Sequence, residues 1–463
     1  MEVPDCPGCR QRDARIAELE ARVLALEGQV RDLLDRLKPP PPPRAVAGQP
    51  PAPDKKPTGR KPGGQIGHPP HLKVLVPPER VNEVVTYIPD QCQKCQARLP
   101  KAAGPDDPEP TRFQVAELPQ LAAQITEHQG HARTCPCCGE VTQAPIPAEV
   151  RAHCVGPRLA GTLSYLVGVH GVSKRGVEEI AEALFDAPIA LGTVANLEQE
   201  MSAALVAAHE EARAAVAAAP IKQADETGWK QAGKKRWLWV VTAATVVYFV
   251  IHPRRNLSAL KRLVGAGLSG ILCSDRWCVY NQWPGLRQLC WAHLKRNWEK
   301  QAERGGKAAK LAAAWAEVQG RVFDLWHQFR GGGQMSRKTL ERHLAPLRAE
   351  LWQVLRRGRR SRDGKLKRFC ARLAESYAHL WTFVSEPGVE PTNNHAERVQ
   401  RTAVLWRRRS FGCHSANGCR FVERLLTVVQ TLRQQKRSVL EFLCQTLDAH
   451  RNRLQSPRLL LEG

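Results

Sequence analysis

Ile221-Lys222-Gln223-Ala224-Asp225-Glu226-Thr227-Gly228-Trp229 is the stretch on which the reading of this chain turns. It reads as a β-strand, and Gln231-Ala232-Gly233-Lys234-Lys235 supplies a turn after it. Trp237 to Thr242 is a second strand. Val246 to Ile251, rich in β-branched and aromatic residues, is a third. Leu257 to Val264 is helical, and Gly270 to Ser274 is a short buried strand ending at Asp275.

Three strands in a meander, then a helix, then a strand is how an RNase H-like sheet begins. In that sheet the first and fourth strands are neighbours, so Asp225 and Asp275 are expected to converge on one side. A carboxylate in the middle of a buried strand is costly unless it is paired or binds metal. Glu397, in Thr392-Asn393-Asn394-His395-Ala396-Glu397-Arg398, supplies a late acidic residue on a helix. Taken singly, Asp225 is a turn residue at a strand end, Asp275 a helix N-cap and Glu397 part of a solvated helical face or an ion pair. Taken together on this strand order they are expected to be a metal site. Two divalent ions about 3.5–4 Å apart stabilise the attacking and leaving oxygens of an in-line phosphoryl displacement, and hard ions such as Mg²⁺ require carboxylate oxygens.

The charge agrees with a polyanionic partner. The chain has 463 residues with 69 Lys plus Arg against 45 Asp plus Glu, a formal net charge of +24. Residues 351–463 carry 22 basic against 9 acidic residues, so +13 of the total lies there. Nucleic acid is the commonest partner of such a surface. At roughly 100–200 residues per domain the length predicts two to four folded units. Hydrophobic residues at 43% and charged residues at 25% exclude wholesale disorder. No secretory signal is legible at the N-terminus, and the longest apolar stretch, Val240 to Ile251, is too short to span a bilayer. Fifteen cysteines without a signal predict a reducing compartment, where Cys pairs bind metal more often than they cross-link. The expected location is the cytoplasm, in association with the nucleoid, with no membrane partner.

The N-terminal part reads as a series of DNA-handling modules. Ile16, Leu19, Val23, Leu26, Val30, Leu33 and Leu37 are spaced alternately three and four residues apart, which predicts a parallel two-stranded coiled coil and hence a homodimer. Pro39 to Pro43 ends that helix, and 12 of the 34 prolines fall between Pro39 and Pro70, the mark of an extended linker. Arg60 and Lys61, in Gly59-Arg60-Lys61-Pro62-Gly63-Gly64-Gln65, suit a basic arm in a minor groove or a solvated linker equally. Cys92-Gln93-Lys94-Cys95 and Cys135-Pro136-Cys137-Cys138 supply four thiolates, Cys92, Cys95, Cys135 and Cys138, for one structural Zn²⁺. Cys137 and His131 are rival ligands for one position. Cys6 and Cys9 form a third pair, either a frayed end or half of a site shared between two chains. Pro157 to Met201 reads as three helices. Arg175 to Phe185 and the stretch opening at Gly192-Thr193 form either a helix-turn-helix or an ordinary helical hairpin.

With Arg60 to Gln65, the two Cys knuckles, Asp225-Glu226-Thr227-Gly228, Cys290-Trp291-Ala292-His293 and Asn393 to Arg398 in view, the chain resembles the DDE transposases of insertion-sequence family 66 from about Ile16 to about Leu447. The resemblance implies an RNase H-like core interrupted by a helical insertion, with Asp225, Asp275 and Glu397 holding two Mg²⁺ or Mn²⁺ ions. It implies cleavage at element ends and attack of a freed 3′ hydroxyl on target DNA, with small companion proteins from the same element. Cys290 and His293 recur among such enzymes, as accessory groups or as a packing pair. Many relatives carry Arg or Ala where this chain has His395, which leaves a metal-proximal or DNA-contacting role for it open. Arg398, Arg407, Arg408 and Arg409 follow Glu397 as candidate DNA contacts.

The expected fold class is therefore multidomain α+β. A coiled coil (1–38) and a basic linker (39–72) precede a zinc module (73–150) and a helix-turn-helix-like domain (151–219). An RNase H-like α/β core follows (220–298), with a helical insertion (299–390) and core completion (391–463). The leading function is transposase, binding terminal inverted repeats and target DNA. The alternatives are a non-catalytic dimeric zinc-containing regulator and an RNase H-like nuclease.

Overall fold

The computed structural model describes residues 75–461, apart from 103, 106, 266, 333 and 334. The heptad, the proline-rich linker, Arg60, Lys61 and the Cys6/Cys9 pair lie outside the described residues. The chain divides into two units, residues 1–117 and 118–463, and each is treated by itself.

In the first unit, Pro78–Arg80 forms one 3₁₀ turn, and Gln114 exchanges hydrogen bonds with the Val76 backbone at 2.7 and 2.9 Å. Cys92 opens a tight turn. Its N–H donates to Ala97 O and its carbonyl accepts from Gln96 N, both at 2.9 Å, with Gln96 at φ 60°.

The second unit begins with a hairpin of β1 (Ala132–Thr134) and β2 (Val141–Gln143), which flanks the second Cys knuckle. Four helices follow: α1 (Pro157–His170), α2 (Lys174–Phe185), α3 (Leu191–Ala204) and α4 (Val206–Ala218). Ser173 caps α2 through Gly176 N, and Asp186 ends it in the left-handed conformation. The helices expected from Pro157 to Met201 are thus present, and a fourth extends them to the sheet.

The sheet contains β3 (Ile221–Gln231), β4 (Lys234–Thr242), β5 (Val247–His252), β6 (Ile271–Ser274) and β7 (Arg287–Leu289), in the order β5-β4-β3-β6-β7. The three meander strands are antiparallel, whereas β3, β6 and β7 are parallel. Ala232 at φ 48° and Gly233 at φ 74° make the two-residue turn between β3 and β4, which matches the twist of the paired strands. Helix α5 (Leu257–Val264), capped by Asn256 through Ala259 N, connects β5 to β6. The first and fourth strands of this sheet are neighbours, as the meander-helix-strand pattern predicts.

After β7 the chain is helical. Helix α6 (Trp291–Ala302) leads into α7 (Gly306–Gly332), α8 (Arg337–Arg359) and α9 (Gly364–Glu375). These pack a core of their own, in which Trp298 stacks on Trp315 and Trp291 meets Trp381 edge-on. Helix α10 (Asn394–Ser410) then returns to the sheet, followed by α11 (Ala416–Gln434) and α12 (Val439–Arg451).

Alternation along β3 divides the two faces of the sheet. Ala224 lies with Trp239, Val241, Tyr248 and Val250 in a core shared with α1, α3, α4, α5, α11 and α12. The helices from Pro157 to Ala218 therefore share the sheet's core. Gly161 permits part of this, since a Cβ there would meet Cys444 Sγ at 2.6 Å. On the opposite face, Trp229, Leu238, Val240 and Phe249 pack against Ala396, Val399 and Ala403 of α10.

Edge strand β5 is covered by side chains of α11. Val247, Phe249 and Ile251 donate their N–H groups to Thr431 Oγ1 (3.0 Å), Thr427 Oγ1 (3.0 Å) and Glu423 Oε1 (2.6 Å). Four residues of helix rise about 6 Å and two of strand about 6.6 Å, so the spacings match and no bare edge is left at these positions.

Candidate functional site

Asp225 stands on the sheet face that α10 covers, in the middle of β3. Its Oδ1 accepts from Glu226 N at 2.9 Å. With its amide oriented to satisfy both atoms, Gln400 donates Nε2 to Asp225 Oδ2 at 3.1 Å and accepts from Glu226 N and Thr227 N at 3.1 and 3.2 Å. Burial pushes the Asp225 carboxyl up to about 8, helped by the negative charges of Glu226, Glu397 and Asp275.

Asp275 follows β6 directly, and its Oδ1 accepts from Trp277 N at 2.9 Å. The loop beyond it is held by Glu226, whose side chain is only 1% exposed on the other face of the sheet. Glu226 accepts from Tyr280 Oη and from Arg255, Nε at 2.8 Å, and the Arg255 guanidinium lies 3.9 Å from the Trp277 ring centroid. Burial raises the Glu226 carboxyl, against the hydrogen bond from Tyr280.

Glu397 lies in the first turn of α10. Arg296 on α6 holds both its oxygens, Nη2 to Oε1 at 2.9 Å and Nη1 to Oε2 at 3.4 Å, and His293 Nδ1 stands 3.1 Å from Oε1. Burial lowers the His293 imidazole although Glu397 draws it the other way. Asn393, fully buried, joins the three parts of the site. Its N–H donates to Cys290 Sγ at 3.1 Å, and its Nδ2 donates to the carbonyl of Ala224, the residue before Asp225, at 2.8 Å. Trp291 N donates to Pro391 O at 3.0 Å alongside, so the starts of α6 and α10 are stitched to each other and to β3.

The other expected residues lie as follows. His395 turns toward Gln434 on α11, and burial lowers its imidazole. Arg407 donates to Thr227 Oγ1 at 3.1 Å and to Gly228 O, and Arg409 donates to His170 O, so both are engaged with the body of the protein. Arg398 and Arg408 are exposed. Gln400 and Arg296 were not singled out by sequence. Gln400 falls three residues after Glu397, one helical turn along the same face, and that spacing is the signal that finds it.

The two Cys knuckles repeat one geometry. Cys135 N donates to Glu140 O at 2.8 Å and its carbonyl accepts from Gly139 N at 2.9 Å, with Gly139 at φ 74°, matching the closure at Cys92 position by position. Backbone N–H groups of Cys95 and Lys94 lower the Cys92 thiol, and those of Cys138 and Cys137 lower Cys135. The side chain that bonds Cys135 is Cys138, as Cys95 bonds Cys92.

The model of the Transposase IS66 family matches residues 153–420, from just before α1 into the start of α11. The chain belongs to the Transposase IS66 family. The match spans β3, β6, α6 and the first turn of α10, so Asp225, Glu226, Asp275 and Glu397 all lie within it. Among curated proteins the chain is 25% identical over 239 residues to the uncharacterized protein y4qI of Sinorhizobium fredii (strain NBRC 101917 / NGR234). That alignment covers 46% of this chain and 43% of the relative, so the chain spans less than half of its length. Among the described residues no helix is long and apolar enough to cross a membrane.

Proposed function

We propose that this IS66-family member is a DDE-type DNA transposase, binding the terminal inverted repeats of its element and performing metal-dependent cleavage and strand transfer through Asp225, Asp275 and Glu397. The observation that carries the reading is the state of Asp225. It is a strand carboxylate raised to about 8 among three other acidic groups, Glu226, Glu397 and Asp275. Such a cluster is unfavourable on its own and suits a doubly charged cation, and its all-oxygen donor set fits Mg²⁺ or Mn²⁺.

The strand order β5-β4-β3-β6-β7, with an antiparallel meander beside two parallel strands, supports an RNase H-like core. The chemistry that two divalent ions supply in such a site is stabilisation of the attacking and leaving oxygens of a phosphoryl displacement. The protein's part is positioning. Asp225 is fixed by Gln400 and by Glu226 N, so its free lone pairs have one orientation. Asp275 is set by the loop that Glu226, Tyr280 and Arg255 hold, and Glu397 by His293 and Arg296. Exposed Arg398 and Arg408 on α10 would meet DNA phosphates beside these carboxylates. The turns at Cys92/Cys95 and at Cys135/Cys138 each offer a pair of thiolates of the kind that binds structural Zn²⁺, and the heptad from Ile16 to Leu37 supports a homodimer.

Asp225→Asn tests the reaction. It should abolish Mg²⁺-dependent cleavage and joining of element ends while leaving end binding nearly intact. Undiminished cleavage by this variant removes the assignment.

A further inference from the structure

We propose that Cys290, His293 and Glu397 form a site for a thiophilic divalent cation such as Zn²⁺, and that an ion held there withdraws Glu397 from Asp225 and Asp275. The inhibitory consequence rests on the reading of Glu397 as a catalytic-metal ligand; the site itself stands on geometry. One ligand atom from each of the three residues lies within 4.8 Å of the others; among the described residues no other three His, Cys, Asp or Glu side chains, Asp225, Asp275 and Glu397 included, come together so closely. His293 Nδ1 and Glu397 Oε1 are already 3.1 Å apart.

The donor set separates this site from the one built by Asp225 and Asp275. Mg²⁺ takes oxygen ligands and has no use for a thiolate, whereas Zn²⁺ accepts sulfur, imidazole nitrogen and carboxylate oxygen together. Cys290 is placed for it. The residue precedes the first turn of α6, and the backbone N–H groups of Asn393, His293 and Ala292 all point to its sulfur, Asn393 N at 3.1 Å. Burial raises the Cys290 thiol against these donors, so its proton leaves when a cation takes its place, and three protein ligands leave one coordination position open.

Arg296 is the counterweight. Its guanidinium holds both Glu397 oxygens, and a cation on Cys290 and His293 must take one of them. The Arg296 side chain is 51% exposed, so it has solvent to move into. Glu397 thus has two competing destinations. It can face Asp225 with a hard cation, or close on Cys290 and His293 around a soft one.

The test uses the full chain with Co²⁺ as the probe, followed by Zn²⁺. The thiols of the Cys knuckles would also attract cobalt, so the readout is the difference between wild type and Cys290→Ser. A thiolate-to-cobalt charge-transfer band is expected in that difference, and identical spectra overturn the site. Arg296→Gln, a surface change with little effect on folding, should tighten cobalt binding at this site several-fold. Weaker binding in that variant overturns the sharing of Glu397. Zn²⁺ should inhibit Mg²⁺-dependent end cleavage by wild type, and in Cys290→Ser the fold-inhibition by Zn²⁺, taken against that variant's own zinc-free rate, should be lost. Equal zinc inhibition of the two proteins overturns the withdrawal of Glu397. A cobalt difference band in a protein without Mg²⁺-dependent cleavage supports the site and refutes the transposition chemistry instead.

Discussion

Asp225 and Asp275 stand at equivalent positions beyond the last pair of the β3–β6 ladder. The parallel pairing of β3 with β6 ends with Gln223 opposite Cys273, and each aspartate lies two residues beyond its member of that pair. Two residues return a strand side chain to the same face, so Asp225 lies on the side covered by α10, and Asp275 comes near enough to add its negative charge to that of Glu397 against the Asp225 carboxylate. Asp225 is still inside a strand there, paired with Val240 of β4, whereas Asp275 has left its strand and heads a loop. One carboxylate is rigid and the other is set by what holds the loop.

That arrangement works against stability when no cation is present. Burial raises the Asp225 carboxyl to about 8, so at neutral pH the wild type must take up a proton there on folding; Asp225→Asn removes that cost and keeps the shape of the side chain. Urea melts in the presence of a chelator should show the variant about 1–3 kcal/mol more stable than wild type at neutral pH, the range for unfavourable polar burial in proteins. A variant less stable than wild type contradicts this account of the cluster.

Asn393→Ala acts in the opposite direction. It strips the Ala224 carbonyl of its side-chain donor in a buried position, beside the strand residue that carries the site. The expected cost is about 1–3 kcal/mol for the orphaned group. End cleavage should fall as well, because Asn393 ties β3 to the starts of α6 and α10. Unchanged melting and unchanged cleavage would mean that this stitch is dispensable.

Two buried groups shape the dependence of stability on pH. Burial lowers His209, whose Nε2 lies 3.3 Å from Phe249 O, from 6.5 to about 4. Stability tied to it is complete above 6.5 and is lost as the pH falls through 4. Burial raises Glu423 from 4.5 to about 7, so its contribution is complete below 4.5 and lost as the pH rises through 7. Glu423→Gln keeps an acceptor for Ile251 N and removes the charge. Melting temperatures between pH 5 and 8 should therefore decline less toward pH 8 in the variant than in wild type. Parallel curves would assign the decline to other groups.

Thr427→Val and Thr431→Val uncover the edge of β5. Each leaves an N–H of β5, that of Phe249 or Val247, without its acceptor on α11. Each should cost about 1–3 kcal/mol, and hydrogen exchange should accelerate at the uncovered amide first. Exchange spread evenly over β3, β4 and β5 would instead indicate global destabilisation.

Local periodicity made much of this protein legible before any coordinate. The meander from Ile221, the helix Leu257–Val264 and the short strand before Asp275 all appear within three residues of where alternation and turn residues put them. Such elements are decided by contacts between near neighbours in the chain, so their pattern is written locally. The same holds for the Cys knuckles, where a four-residue spacing and a left-handed residue close each turn.

Long-range packing decided the rest. Glu397 lies 122 positions after Asp275 (397 − 275), and no period in the sequence says where its side chain goes. Its place comes from Asn393 docking on Ala224, Arg296 and His293 reaching it from α6, and α10 lying across the Asp225 face. The arginines after it show the same limit. Arg407, Arg408 and Arg409 are identical as sequence, yet one is spent on Gly228, one is free to solvent and one caps α1 at His170. Composition and spacing determined that this chain has a mixed sheet and a surplus of positive charge. Which acids meet, which cations remain at the surface and what Glu397 touches are set by non-local contacts, and those exist only once the helices have closed over the sheet.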